Sequence, residues 1–148
     1  ASKYGKIDWL ESNNEYWLEL DAKLRTDFNV NTGMKEDITK IFKTKSGMKA
    51  YYQKAGVKTA RYHLVNTLEN GRKFISEVGY PVVVKPDNGV GAAATYKINN
   101  DQELEEFYNI DHITQYIMEE FVNGLILSYD GIANNEHQVL FETSHVFP

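Results

Sequence analysis

The sequence has no cysteine among its 148 residues, which excludes a disulfide framework, a thiolate zinc site and a cysteine nucleophile, and fits a cytoplasmic setting. Proline is scarce, and the longest uninterrupted apolar run is the short stretch Pro81–Val84. A membrane-spanning helix needs about 20 apolar residues, so no membrane role is expected. The opening residues lack the apolar core of a secretion signal. Residues 101–148 contain no lysine or arginine. With 10 Asp and Glu they carry −10, whereas residues 1–100, with 16 Lys and Arg and 11 Asp and Glu, carry +5. A basic part followed by an acidic part suits an anionic ligand held on one side, although a chain cut within an acidic stretch has the same balance. No basic stripe with interleaved aromatics is present, which argues against a nucleic-acid partner.

What is present is ordinary globular material, 42% hydrophobic, enough for a core and about one domain's worth of chain. Tyr16, Trp17, Leu20, Leu24 and Phe28 recur at helical spacing, and helices are expected over Asn14–Phe28, Met34–Phe42 and Ser46–Ala55. Met48, Tyr51 and Tyr52 are read as the inward face of the third helix, and Trp9 and Trp17 as packing residues. Gly56 stands where a left-handed C-terminal cap belongs. A strand at Tyr62–Val65 precedes a helix capped by Asn66 or Thr67 and stopped at Gly79. Pro81-Val82-Val83-Val84-Lys85-Pro86 reads as a strand buried on both faces. A Gly-rich turn (87–92), a returning strand (94–98) and a helix opened by an Asn100/Glu103 capping box follow. The rest reads as strands over Tyr116–Val122, Leu125–Ala133 and Val139–His145, the last two joined by a turn at Asn134-Asn135.

The chemistry concentrates around Lys85. A lysine closing a buried strand needs an anion or water at that edge. The Asp87-Asn88-Gly89-Val90-Gly91 turn lets backbone N–H groups come close to a phosphate. A plain hairpin turn beside a surface lysine would have the same sequence. No G-x-x-x-x-G-K-[ST] loop occurs, and Gly89-Val90-Gly91 lacks the third glycine and following helix of a dinucleotide fingerprint. Glu119 and Glu120 alternate on one strand, so one side chain faces the site and one faces away; Met118 and Phe121 are read as core. His63, His112, His137 and His145 show no metal-ligand spacing.

Several segments taken in order resemble the ATP-grasp superfamily. They are Thr44-Lys45-Ser46-Gly47-Met48-Lys49, Ala55-Gly56-Val57-Lys58-Thr59, Gly79 to Lys85 with the Gly-rich turn, Met118-Glu119-Glu120-Phe121-Val122-Asn123-Gly124 and Ser128-Tyr129-Asp130-Gly131. The resemblance spans roughly Asp8 to Val146 and is to the superfamily as found in carbamoyl-phosphate synthetase large chains, D-alanine ligases and biotin carboxylases. It implies an α+β (α/β) ATP-grasp fold, here incomplete. Residues 1–44 would end a preceding region, 45–115 form a central lid subdomain, and 116–148 open the third subdomain with antiparallel strands. It also implies a parent enzyme that uses ATP and Mg²⁺ to activate a small-molecule carboxylate as an acyl phosphate, which an amine or other nucleophile attacks.

Carried over residue by residue, the resemblance puts Lys45 on the nucleotide phosphates and Lys85 on the α-phosphate and adenine edge. The Gly-rich hairpin, with Asn88, Gly89, Val90, Gly91, Ala92 and Thr95, would close over the β- and γ-phosphates. Glu119 would receive the exocyclic amine or orient its neighbours. The main chain of Glu120, Phe121 and Val122 would line the adenine, with Glu120 and Val122 pairing to its edge. Three departures stand out. Ile126 occupies the position of a ribose-binding acid; Ala92 and Ala94 replace a serine and a glycine in the hairpin; and the family's metal-binding acids fall beyond this sequence. The chain alone is therefore not expected to catalyse, with no metal site of its own, and a non-catalytic nucleotide-binding or assembly module is the rival reading. Unpaired sheet edges would permit a homodimer.

Overall fold

The structure, a computed structural model, describes residues 3–89 and 94–147. A 3-10 turn (Glu15–Trp17) leads into α1 (Leu18–Asp27), followed by α2 (Glu36–Lys43) and α3 (Lys45–Lys54). Next come β1 (Tyr62–Leu64), α4 (Leu68–Val78), β2 (Val82–Pro86), β3 (Tyr96–Ile98), α5 (Asp101–Tyr108), β4 (Tyr116–Glu120), β5 (Leu127–Ala133) and β6 (Val139–Val146).

Local chemistry sets the helix ends. The Asn14 side chain accepts from the Tyr16 N–H and opens the 3-10 turn. The Thr67 hydroxyl accepts from the Asn70 N–H, and Asn100 Oδ1 accepts from the Glu103 N–H, each removing an orphan donor. Glu103 reaches back to the Asn99 N–H, which closes the capping box one residue early and lowers its carboxyl pKa. Gly56 (φ 73°) and Gly79 (φ 79°) end α3 and α4 in the left-handed region, where a Cβ would be strained.

The four strands β1, β4, β2 and β3 form one antiparallel sheet in the order β1-β4-β2-β3. The strand beginning at Tyr116, assigned above to the third subdomain, is an inner strand of this sheet, paired to β1 and β2. Because Val82 lies opposite Ile98 and Val84 opposite Met118, Val82, Val84, Ile98, Tyr116 and Met118 share one face. They pack with Phe74 and Ile75 of α4 and with Leu104 and Phe107 of α5 into the main core. The other face carries Val83, Lys85, Ile117 and Glu119. The β2 run is thus fully buried on one face only. Its second face, which carries Val83 and Lys85, is only half-buried.

Several expected core residues are exposed. Tyr51 (44%) and Tyr52 (46%) of α3, Trp9 (69%), Trp17 (47%) and Phe121 (43%) all keep much of their surface. For Tyr51 the apolar stripe has only Phe42 beside it, at a ring distance of 6.3 Å. Phe121 lies just past the end of β4, outside the paired stretch of the sheet. Strands β5 and β6 form a separate two-stranded hairpin whose β6 residues are all exposed. Asn134 organises the turn between them, accepting from the Glu136 and Gln138 N–H groups. No helix among the described residues is long and apolar enough to cross a membrane.

Candidate functional site

Helix α3 begins against the end of β2, and its first donors are all matched. The Lys45 N–H donates to the Asp87 carbonyl (3.0 Å) and the Ser46 N–H to Asp87 Oδ1 (2.8 Å); the Gly47 N–H donates to Thr44 Oγ1 (3.2 Å). Ser46 Oγ adds a bond to Asp87 Oδ2 at 2.6 Å. Asp87 is only 5% exposed, so a buried carboxylate sits at the positive end of α3. Thr44 and Asn88 form an isolated antiparallel bridge beside it. These contacts hold the start of the Gly-rich turn against the helix.

Lys45 closes the same joint. Its ammonium donates to the carbonyls of Pro86 (2.7 Å), Asp87 (3.4 Å) and Gly89 (3.2 Å). Burial, and after it the nearby Lys85 ammonium, lower its pKa from the ordinary lysine value. Lys85 lies on the polar face of the sheet and pairs with Glu119 Oε2 at 2.6 Å. Glu119 is buried, and its other oxygen, Oε1, is 3.0 Å from the Lys49 ammonium. The face therefore gathers three ammonium groups, Lys45, Lys49 and Lys85, around the carboxylates of Glu119 and Asp87, an excess of positive charge at the base of the Gly-rich turn.

Glu119 and Glu120 do point to opposite faces. Glu120 turns to Arg61, accepting from its backbone N–H (2.7 Å) and Nε (2.7 Å) and pairing with Nη2 at 2.6 Å. These bonds to Arg61 hold the Glu120 carboxyl below the usual carboxylate range. The Glu120 N–H also donates to the Arg61 carbonyl, so that donor is committed to the fold. The Val122 N–H makes no backbone hydrogen bond among the described residues. Phe121 lies beneath the Lys97 ammonium, 4.5 Å from ring centre to Nζ. Thr95 is exposed just before β3. Val90, Gly91 and Ala92 lie outside the described residues.

Two members of the cluster escaped the sequence reading. Lys49 follows Lys45 by four residues, which puts both on one helix side, a signal that was available. Asp87 read only as a turn residue. Among the described residues no group of three or more His, Asp or Glu side chains converges as a cation site. His63 stacks on Phe74 and His112 on Phe107, while His145 Nδ1 lies 3.0 Å from Ser128 Oγ. An open pocket of about 540 Å³ flanks the cluster, lined by residues that include Lys49, Val57, Ala60, Arg61, Tyr62 and Glu77.

A family profile described as "ATP-grasp domain" matches residues 52–147. The carbamoyl phosphate synthase large chain of Sulfurisphaera tokodaii is 41% identical over 54 residues, 36% of this chain and 5% of that protein. The phosphoribosylamine–glycine ligase of Fusobacterium nucleatum is 30% identical over 102 residues, 63% of this chain and 24% of that protein. The crystal structure of an L-amino acid ligase from Bacillus licheniformis superposes with a TM-score of 0.67 at 23% identity, covering 95% of this chain and 31% of that one. The chain thus spans a third or less of the length of each of these proteins.

Proposed function

The chain belongs to the ATP-grasp family, and from that premise we propose that the polar face of its four-stranded sheet binds the phosphates of ATP as part of a ligase. The observation that carries this reading is the pairing of Lys49 and Lys85 with Glu119, with the Lys45 ammonium beside them on the carbonyls of Pro86 and Gly89 at the base of the Gly-rich turn. An excess of fixed positive charge on a partly desolvated face favours a polyphosphate strongly. The parent reaction would transfer the γ-phosphoryl group of ATP to a carboxylate, releasing ADP, and a nucleophile such as an amine would displace phosphate from the acyl phosphate. Lys85 would face the α-phosphate. Lys45, by ordering the carbonyls of Pro86 and Gly89, would shape the turn (88–95) that approaches the outer phosphates. The Val122 N–H, with no backbone partner among the described residues, would suit the edge of an adenine ring, and the Glu120 carbonyl would serve beside it.

Phosphoryl transfer depends on divalent cations bridging the phosphates, and among the described residues no three His, Asp or Glu side chains gather as a cation site. The chain spans a third or less of each relative named above, and we read it as the nucleotide-gripping part of a longer enzyme, inactive by itself. Residues 1–44, 45–115 and 116–148 would belong to successive subdomains, with β4 as the hinge strand shared between the last two. Ile126, 69% exposed where relatives of the motif carry a ribose-binding acid, favours the second reading of a non-catalytic nucleotide-binding module.

Calorimetric titration of the parent polypeptide with ATP tests the first reading. Lys85→Ala is expected to weaken binding by about tenfold or more, as loss of a charge-assisted contact does; unchanged affinity would overturn the site. ADP release with some carboxylate separates the enzyme from the binding module, which releases none.

A further inference from the structure

We propose that Lys49 is a positioning residue: it holds one oxygen of Glu119 so that the Lys85 ammonium stays directed at the anionic ligand. This inference rests on the nucleotide reading above. The Glu119 carboxylate is divided between two lysines, Oε1 to Lys49 at 3.0 Å and Oε2 to Lys85 at 2.6 Å. The two lysines are not equivalent. The Lys49 side chain is 12% exposed, donates to the Ala60 carbonyl at 3.1 Å, and lies 5.6 Å over the Tyr62 ring. It is tied to α3, to the approach to β1 and to β4 at once, so its charge is fixed. The Lys85 side chain is 28% exposed and has no such second tether among the described residues.

The consequence follows from charge and geometry. With Lys49 present, Glu119 spends one oxygen on a fixed cation, and Lys85 receives only the other. Without Lys49, the buried carboxylate has one cation within reach and turns both oxygens toward it. Lys85 then becomes half of a closed neutral pair, and the face loses one positive charge. The effect on a polyphosphate passes through Glu119, since the Lys49 ammonium is spent on Glu119 and Ala60. The flanking pocket leaves room for a larger cation in the same place.

The test measures ATP and adenosine affinity of the parent polypeptide by calorimetry. Lys49→Met is expected to weaken ATP by about tenfold while adenosine changes little, and Lys49→Arg, which restores the charge, is expected to recover most of the loss. In a Glu119→Gln background the same Lys49→Met change should cost less than about twofold, because the group it acts through is gone. Lys49→Gln, which keeps a donor without the charge, serves if the Met variant does not fold. ATP binding that Lys85→Ala weakens and Lys49→Met leaves alone overturns the role of Lys49. A full loss persisting in the Glu119→Gln background also overturns it and makes Lys49 a direct contact. Wild-type protein that binds no ATP overturns the nucleotide reading itself.

Discussion

Asp87 is the joint between α3 and the Gly-rich turn, and its removal is the sharpest perturbation of the site that touches no ligand. Its carboxylate accepts two bonds, from the Ser46 N–H at 2.8 Å and Ser46 Oγ at 2.6 Å, at 5% exposure. A hydrogen bond to a charged group contributes about 1.5–3 kcal/mol, and a carboxylate at a helix N-terminus about 0.5–2 kcal/mol. Against these stands the desolvation of the carboxylate, so about 3 kcal/mol is a reasonable net loss for Asp87→Ala, which also leaves the Ser46 N–H without its partner. For a chain of this size that lowers Tm by about 6–12 °C. Asp87→Asn keeps an oxygen for the Ser46 N–H, and the serine hydroxyl can accept from the new amide, so it should cost only about 1 kcal/mol. Urea and thermal unfolding of the three proteins measure both values. An alanine variant within about 0.5 kcal/mol of wild type, or no gap between Ala and Asn, would refute the argument that this carboxylate holds the helix to the turn.

Leu104 is fully buried between α5 and the sheet, so Leu104→Ala should destabilise by about 2–5 kcal/mol in urea unfolding. A Cβ at Gly71 would lie 2.6 Å from the Tyr108 hydroxyl, which is itself buried with no hydrogen-bond partner among the described residues. Gly71→Ala should therefore destabilise, and much less so in a Tyr108→Phe background; equal costs in both would contradict the clash. The Glu120 carboxyl is depressed by Arg61, so its contribution is present above the unfolded glutamate value, about 4.3, and fades as pH falls through the lower folded value. The difference in urea midpoint between wild type and Glu120→Gln should accordingly shrink below about pH 4, and a constant difference would count against the ion pair.

Much of this molecule is legible along the chain because its determinants are local. The caps at Thr67 and Asn100 and the left-handed stops at Gly56 and Gly79 depend on neighbours within four residues, and each stands where spacing puts it. So does the alternation that sends Glu119 and Glu120 to opposite faces, since it needs only the strand period. Expectations failed where they depended on what lies across space. Tyr51, Tyr52 and Phe121 have the apolar character of core residues, but each keeps more than two-fifths of its surface exposed. That Tyr116–Glu120 pairs on both sides, with β1 and with β2, is likewise decided across space and not by its own pattern.

The site divides in the same way. The sequence alone marked Lys85 and the Gly-rich turn, because a lysine at the end of an apolar strand and glycines close to it are chemical oddities that position exposes; Lys45 stood out only through the family resemblance. Only the tertiary structure showed that Lys49 and Lys85 share Glu119, and that Asp87 seals the end of α3. Ion pairs between residues 34 or more positions apart leave no periodic trace. They exist because sheet register and helix docking bring their charges within 3 Å in a partly desolvated face, where each charge must find a partner.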